Sequence, residues 1–334
     1  MNNYTARAGV VGFRGYGGAE LIRILDRHPS VRPVLLEHRT DEPAARLPGP
    51  TSIPCTLEAV RSEQLAVVFL ATPPEVSLEL APQMLAAGAR VVDLSGAFRL
   101  PTADNYKHWY HAEHSQPGLL AEAAYGLPEF CRSRIPQARL VANPGCYPTA
   151  ANLAIRPLIE AGVVDLTAGI VCDAKSGVSG AGRKPTLKTS FCEVTENFSA
   201  YSIFDHRHVP EVLMTSGIEE RDFSFTAQLL PIARGILETI YFRARNLSSA
   251  DDLRSIYLKR YSGEPFIRVY PAGAVPDLHA SQRTNFCDIG VRFDAATRRA
   301  VVISAIDNLV KGAAGQAVQN LNLILGHAET EALV

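Results

Sequence analysis

The sequence predicts an α/β chain: a doubly wound parallel sheet, then a second α+β domain with a mixed, largely antiparallel sheet. Three observations carry that expectation. Through 1–145, short β-branched apolar runs alternate with helical ones, the pattern of parallel strands joined by crossover helices. Beyond Gly162 the apolar runs lengthen and are joined by loops. The last segment returns to helical spacing, with Val310, Ala314, Ala317, Leu321 and Leu325 on one stripe.

The elements follow in order. A strand at 8–11, a helix over 19–27 and a strand at 31–36 form the first βαβ unit. The runs 66–70, 90–94 and 139–142 are almost wholly apolar, as central strands covered on both faces should be. A helix over 151–161 opens the second half, whose strands are expected at 168–174, 224–230, 236–245, 285–293 and 300–306. Asp307 is the expected N-cap of a final helix and Gly326 its stop. That helix should pack back on the first domain, so 1–145 with 307–334 forms one domain and 146–306 the other.

The 334 residues are about two domains' worth, and 47% of them are hydrophobic, enough for a core without disulfides or structural metal. With 33 basic and 34 acidic residues the formal charge is −1. No general attraction to phosphate backbones or anionic lipid follows from that balance, so neither nucleic acid nor a membrane is an expected partner. No apolar stretch reaches the ~18 residues of a transmembrane helix, and the N-terminus lacks a signal-peptide pattern. The six cysteines are scattered, without a Cys-x-x-Cys pair. This describes a reduced, cytoplasmic protein in which at most one or two cysteines do chemistry.

Four constellations carry that chemistry. The first places Gly12, Arg14, Gly15, Tyr16, Gly17 and Gly18 between the first strand and the first helix, where helix-end amides can face a pyrophosphate without Cβ interference. This is the turn of a Rossmann-type dinucleotide-binding domain. At the end of the second strand, Glu37 suits a free ribose 2′-hydroxyl, whereas Arg39, helped by Arg14, suits a 2′-phosphate. The two arginines favour NADP.

In the second, Cys146 lies in Asn143-Pro144-Gly145-Cys146-Tyr147-Pro148 ahead of a helical run. Pro148 suits a first helical turn, so the thiol faces the positive end of a helix dipole, which enriches the nucleophilic thiolate. Cys172 and Cys287 read as core fillers. The third is His206-Arg207-His208-Val209-Pro210-Glu211. In an extended segment its histidines share a side, and either could be a general acid or base; a zinc pair would need further ligands. The fourth, Ser176 to Gly182 followed by Arg183 and Lys184, could offer amides and positive charge to an anion.

These motifs, with Asp93-Leu94-Ser95-Gly96-Ala97-Phe98-Arg99 and Asp307-Asn308-Leu309-Val310-Lys311-Gly312-Ala313-Ala314, resemble the N-acetyl-γ-glutamyl-phosphate reductase family over nearly the whole chain. One departure is Gly12-Phe13-Arg14-Gly15-Tyr16, where that family usually has Gly-Ala-Ser-Gly-Tyr. The resemblance implies an NADPH-dependent reduction of an acyl phosphate in arginine biosynthesis, through a thioester on a cysteine. Cys146 falls at the family's nucleophile and His208 at its acid/base. It puts Arg99 near the substrate phosphate and Asn308 near the nicotinamide, adds Ser176 and Gly177 to the cofactor contacts, and counts Glu211 with the substrate site. A homodimer or homotetramer is implied. The rivals are aspartate-semialdehyde dehydrogenase and a non-enzymatic regulator sensing NADP.

Overall fold

The computed structural model describes residues 4–38 and 52–334. Its described residues fall into two units, Met1–Lys107 with Ala112–Pro144 and Ala313–Val334, and His108–His111 with Gly145–Gly312.

In the first unit, strands β1 (Ala6–Val11), β2 (Val31–Glu37), β3 (Ser52–Pro54), β4 (Val67–Leu70), β5 (Arg90–Asp93), β6 (Ala124–Tyr125) and β7 (Leu140–Ala142) make one sheet. Its order is β3-β2-β1-β4-β5-β7-β6, and every neighbouring pair is parallel. Strands β4 and β7 are buried at every position, which explains their unbroken apolar runs. The first helix, Tyr16–Leu25, starts three residues before the expected 19. Gly15 is its extended N-cap, so Gly17 and Gly18 fall inside the first turn instead of ahead of it.

In the second unit, β8 (Ile170–Gly177), β9 (Ser199–Tyr201), β10 (Phe223–Leu230), β11 (Ile236–Arg243), β12 (Ile267–Val269), β13 (Cys287–Asp294) and β14 (Arg299–Ile306) make a second sheet in the order β12-β13-β14-β11-β8-β10-β9. Only the β8-β10 and β12-β13 pairs are parallel; the other four are antiparallel. The mixed, largely antiparallel character is as expected. The short strands β9 and β12 have no periodicity of their own to read.

Helix Cys146–Glu160 lies against β11 and β14. Pro157 interrupts it chemically, because proline has no N–H for the carbonyl four residues earlier. That carbonyl, on Leu153, accepts the Tyr261 hydroxyl at 2.5 Å instead, while Tyr257 donates to the Ala154 carbonyl at 2.6 Å. The helix therefore continues through its proline.

The single helix expected from Asp307 to Gly326 is corrected. A π-helical turn occupies Val310–Ala314, and the α-helix runs only over Gly315–Leu325. Asp307 caps the turn rather than the helix: its Oδ1 accepts from the amides of Leu309 at 2.8 Å and Val310 at 3.1 Å. Its own carbonyl accepts the Gly312 amide at 2.9 Å, a five-residue step that widens the turn. Gly326, with φ +75°, ends the helix as expected.

The Gly315–Leu325 helix buries Gln316, Gln319, Asn320 and Asn322, which must find partners or cost stability. Asn320 donates to the Gly126 carbonyl at 2.9 Å and to Asn143 Oδ1 at 3.1 Å. It reaches Gly126 only because that residue lacks a Cβ, which would lie 2.4 Å from the Asn320 amide nitrogen. Asn322 holds His28 Nε2 at 2.9 Å. Asn320→Ala leaves a buried carbonyl without this donor, and we expect a loss of about 1–3 kcal/mol, read as a lower urea midpoint with unchanged slope.

Candidate active site

The glycine turn is built from two kinds of glycine. Gly12 has φ +78°, and a Cβ there would sit 2.2 Å from the Ala71 carbonyl oxygen; one on Gly18 would sit 2.3 Å from the Gly12 carbonyl oxygen. These two let the backbone pack on itself. A Cβ on Gly15 would come no nearer than 3.4 Å to its closest neighbour, and one on Gly17 would have none within 4 Å. Gly15 offers no side-chain cap to the helix that follows, so its first amides and the open space over Gly17 form a cradle that fits a diphosphate. Arg14 donates to the Glu37 carboxylate, and its guanidinium lies 4.6 Å from the centre of the Phe13 ring. Tyr16 is exposed. Arg39 lies outside the described residues.

In the second unit, Cys146 is the first residue of its helix and Gly145 the extended N-cap. Pro148 falls in the first turn, where a missing N–H loses nothing. The Gly145 amide donates to Glu211 Oε2 at 2.9 Å, so a fully buried carboxylate caps the helix from a neighbouring one. The tie is doubled: Asn152 donates to the Glu211 carbonyl at 3.3 Å and accepts from Ser216 at 3.0 Å. Glu211 is thus joined directly to the chain beside the cysteine, a placement that spacing along the sequence could not give.

His206 and His208 lie in a turn, not in the extended segment expected. The Val209 amide donates to the His206 carbonyl at 2.9 Å, and His208 is the N-cap of helix Val209–Ser216. The rings nevertheless come together, with centroids 4.9 Å apart, and both meet Tyr147 edge-on. Arg207 between them points to solvent. Among the described residues no cluster of three metal-ligating side chains forms.

Two tyrosines complete this cluster. Tyr147 follows the cysteine, and its hydroxyl lies 3.1 Å from that of Tyr201 on β9. Burial pushes both phenols up and keeps them neutral. Tyr201 carries no signal in the sequence, since its strand is three residues long.

The Ser176 to Gly182 segment is stitched to the 232–235 stretch. Gly177 donates to the Gly235 carbonyl at 2.9 Å, and a Cβ on Gly177 would meet the Arg234 amide nitrogen at 2.8 Å. Asn308 locks the arrangement: it donates to Ser179 Oγ at 2.9 Å and accepts the Gly235 amide at 2.8 Å. Ser176 is buried and donates to the Gly177 carbonyl at 3.1 Å. Arg99, in the first unit, is also buried, and it donates to the carbonyls of Asn143 at 2.8 Å and Leu94 at 2.7 Å. Its loop is shaped by Asp93, which accepts from the amide and hydroxyl of Ser95. Cys172 and Cys287 are buried core residues, as expected.

Comparison with known proteins agrees with this architecture. The family described as semialdehyde dehydrogenase, NAD binding domain, matches residues 7–138, and the family described as semialdehyde dehydrogenase, dimerisation domain, matches 146–308. The chain is similar to N-acetyl-gamma-glutamyl-phosphate reductases from Symbiobacterium thermophilum, 47% identical with 99% of this chain and 98% of the relative covered, and Desulforudis audaxviator, 46% identical with 98% of each covered. Among solved structures, aspartate semialdehyde dehydrogenase II from Vibrio cholerae shares the fold, with a TM-score of 0.73, 18% identity, and 96% and 98% of the two chains covered. A probable aspartate-semialdehyde dehydrogenase from Pseudomonas aeruginosa gives 0.71 at 22% identity, with 96% and 99% covered.

His206 owes its charge behaviour to its surroundings. Burial among Tyr147, Tyr201 and Phe225 lowers His206 to about 4, with Arg207 adding to the shift, and His206 Nδ1 accepts the His208 amide at 3.2 Å. Its ring is therefore neutral near pH 7, with the proton on Nε2. Between pH 6.5 and 4 the unfolded chain binds a proton here that the folded chain refuses, so stability falls as pH drops through that window. The group's share of the loss is up to about 3 kcal/mol. We expect His206→Gln to show a shallower loss between pH 7 and pH 4.5 in urea titrations; an unchanged slope would remove His206 as its source.

Proposed function

Because the chain belongs to the N-acetyl-γ-glutamyl-phosphate reductase family, we propose that it reduces N-acetyl-γ-glutamyl phosphate to N-acetylglutamate 5-semialdehyde and phosphate, with NADPH as the reductant and Cys146 as the nucleophile. The observation that carries this reading is the placement of Cys146 at the first position of a 15-residue helix whose N-cap amide is held by a buried carboxylate. A helix start favours negative charge, which is what a thiolate needs.

The reaction then divides into two activated steps. The Cys146 Sγ bonds to the acyl carbon, the carbon–oxygen bond to phosphate breaks, and inorganic phosphate leaves with the bonding pair. A nicotinamide cofactor, when bound, supplies the hydride that the thioester carbon takes up. His208 holds the proton that neutralises the oxygen as it gains charge, and takes it back as the carbon–sulfur bond breaks and the thiolate returns. His206, neutral and bonded to the His208 amide, positions its neighbour. Glu211 keeps the start of the cysteine's helix in place, and Arg99 balances phosphate charge.

The amides of Tyr16, Gly17 and Gly18 would hold the cofactor diphosphate, with Gly12 and Gly15, whose amide donates to the Gly12 carbonyl at 3.0 Å, giving the turn its shape. Arg14 and Arg39 would meet a 2′-phosphate, and Ser176, Gly177 and Asn308 the nicotinamide end. We read the protein as a cytoplasmic homodimer or homotetramer. The sheet of the second unit supports assembly, since Val171 and Tyr241 are exposed on it.

The test is NADP⁺ reduction with N-acetylglutamate semialdehyde and phosphate, compared by kcat/KM with aspartate semialdehyde. Preference for the acetylated compound supports the reading, and equal use of both would move the assignment to aspartyl phosphate. Cys146→Ser should abolish turnover while the cofactor still binds, and His208→Asn should lower kcat by roughly 10²-fold or more. For the cofactor, NADPH should bind more tightly than NADH. Arg14→Ala and Arg39→Ala should each weaken NADPH binding by about 1.5–3 kcal/mol, measured by fluorescence titration, with NADH little changed.

A further inference from the structure

The π-helical turn that breaks the chain's last helix lies directly against the nucleophile. A Cβ built on Gly312 would sit 2.8 Å from Cys146 Cβ, 3.2 Å from Cys146 Cα and 3.3 Å from the Asp307 carbonyl oxygen. These neighbours are backbone or backbone-attached atoms, so no side chain could swing aside to make room. The turn is itself anchored: besides capping Leu309 and Val310, the fully buried Asp307 accepts the Arg283 amide at 2.7 Å and lies 3.6 Å from the Arg234 guanidinium. A π-helical turn costs more than a regular one and is frequent at functional sites. Here the wide step from Asp307 to Gly312 brings a residue without a side chain against Cys146.

We infer that the Asp307–Gly312 turn is a positioning device that seats Cys146, with Gly312 as the surface against which the cysteine's Cα and Cβ rest. The inference builds on the reading of Cys146 as nucleophile. A methyl group at 312 would push the first residue of the helix or the turn itself aside by several tenths of an ångström. The thiol would then leave its place at the helix start, where thiolate is favoured, and its line of approach to an acyl carbon. Misplacements near 1 Å can cost on the order of 10²-fold in rate.

The experiment uses the full chain and follows iodoacetamide alkylation of Cys146 against pH, by mass spectrometry of the peptide that contains it, beside steady-state kinetics. For Gly312→Ala we expect slower alkylation at pH 7 by roughly tenfold, a titration midpoint moved to higher pH, and kcat down by roughly 10²-fold with KM within about threefold. Gly263→Ala is the control for simple destabilisation. Gly263 has φ +83° with open space around it, so a methyl there strains only the backbone. It should leave the alkylation profile unchanged. If Gly312→Ala folds too poorly for kinetics, a stability cycle replaces them: its penalty should shrink in a Cys146→Gly background, where one clashing atom is gone. Alkylation that matches the wild type, or an equal effect from Gly263→Ala, or a penalty that persists fully in Cys146→Gly, would each overturn the seating. Slowed alkylation in Gly312→Ala beside a fully active Cys146→Ser would uphold the seating and overturn the nucleophile.

Discussion

The helix that starts at Cys146 leaves its first amides without partners inside the helix, and a neighbouring helix of the second unit meets that requirement. The Gly145 amide, just before Cys146, is met by Glu211 Oε2. Glu211 belongs to the first turn of the Val209–Ser216 helix, whose N-cap is His208. One short helix therefore presents a histidine and, three residues later, the carboxylate that fixes the start of the cysteine's helix. A carboxylate buried this fully is tolerable only because it is hydrogen-bonded. The links through Asn152 and Ser216 hold the two helices in register around it.

Close backbone approach is the second constraint, and it recurs in both units with glycine as the means. Gly18 lets the nucleotide turn fold on the Gly12 carbonyl, Gly177 lets the serine- and glycine-rich loop lie on Arg234, and Gly126 admits the Asn320 amide. Gly17 does something else, since space is open over it. The distinction matters for function, because the first kind shapes the fold and the second leaves room for a ligand.

Burial also sorts the titratable groups. His206 loses its charge because it is enclosed by aromatic rings, and it uses Nδ1 as an acceptor for the next histidine's amide. The neighbouring phenols are held neutral for the same reason. In the resulting cluster beside Cys146, burial by aromatic walls is the largest control on protonation, with Arg207 adding to it at His206.

Much of this was legible in the sequence. The alternation of apolar runs determined the parallel sheet, because strands covered on both faces cannot carry polar residues without cost. The longer runs joined by loops determined the second sheet, and Pro148 marked a nearby helix start from local backbone chemistry, although the helix begins at Cys146, five residues before the expected 151. Tertiary structure decided the rest. Nothing in the spacing of His206 and His208 tells that burial neutralises His206, and the 66 residues from Gly145 to Glu211 hold no record that the two bond. The break at Val310–Ala314 was equally hidden, because its apolar spacing suits a continuous helix; the turn is widened by the bond from the Gly312 amide to the Asp307 carbonyl, at a residue whose carboxylate is held by amides on both sides. Local sequence encodes backbone preference and apolar period, whereas contacts between distant segments depend on packing that only the folded chain supplies.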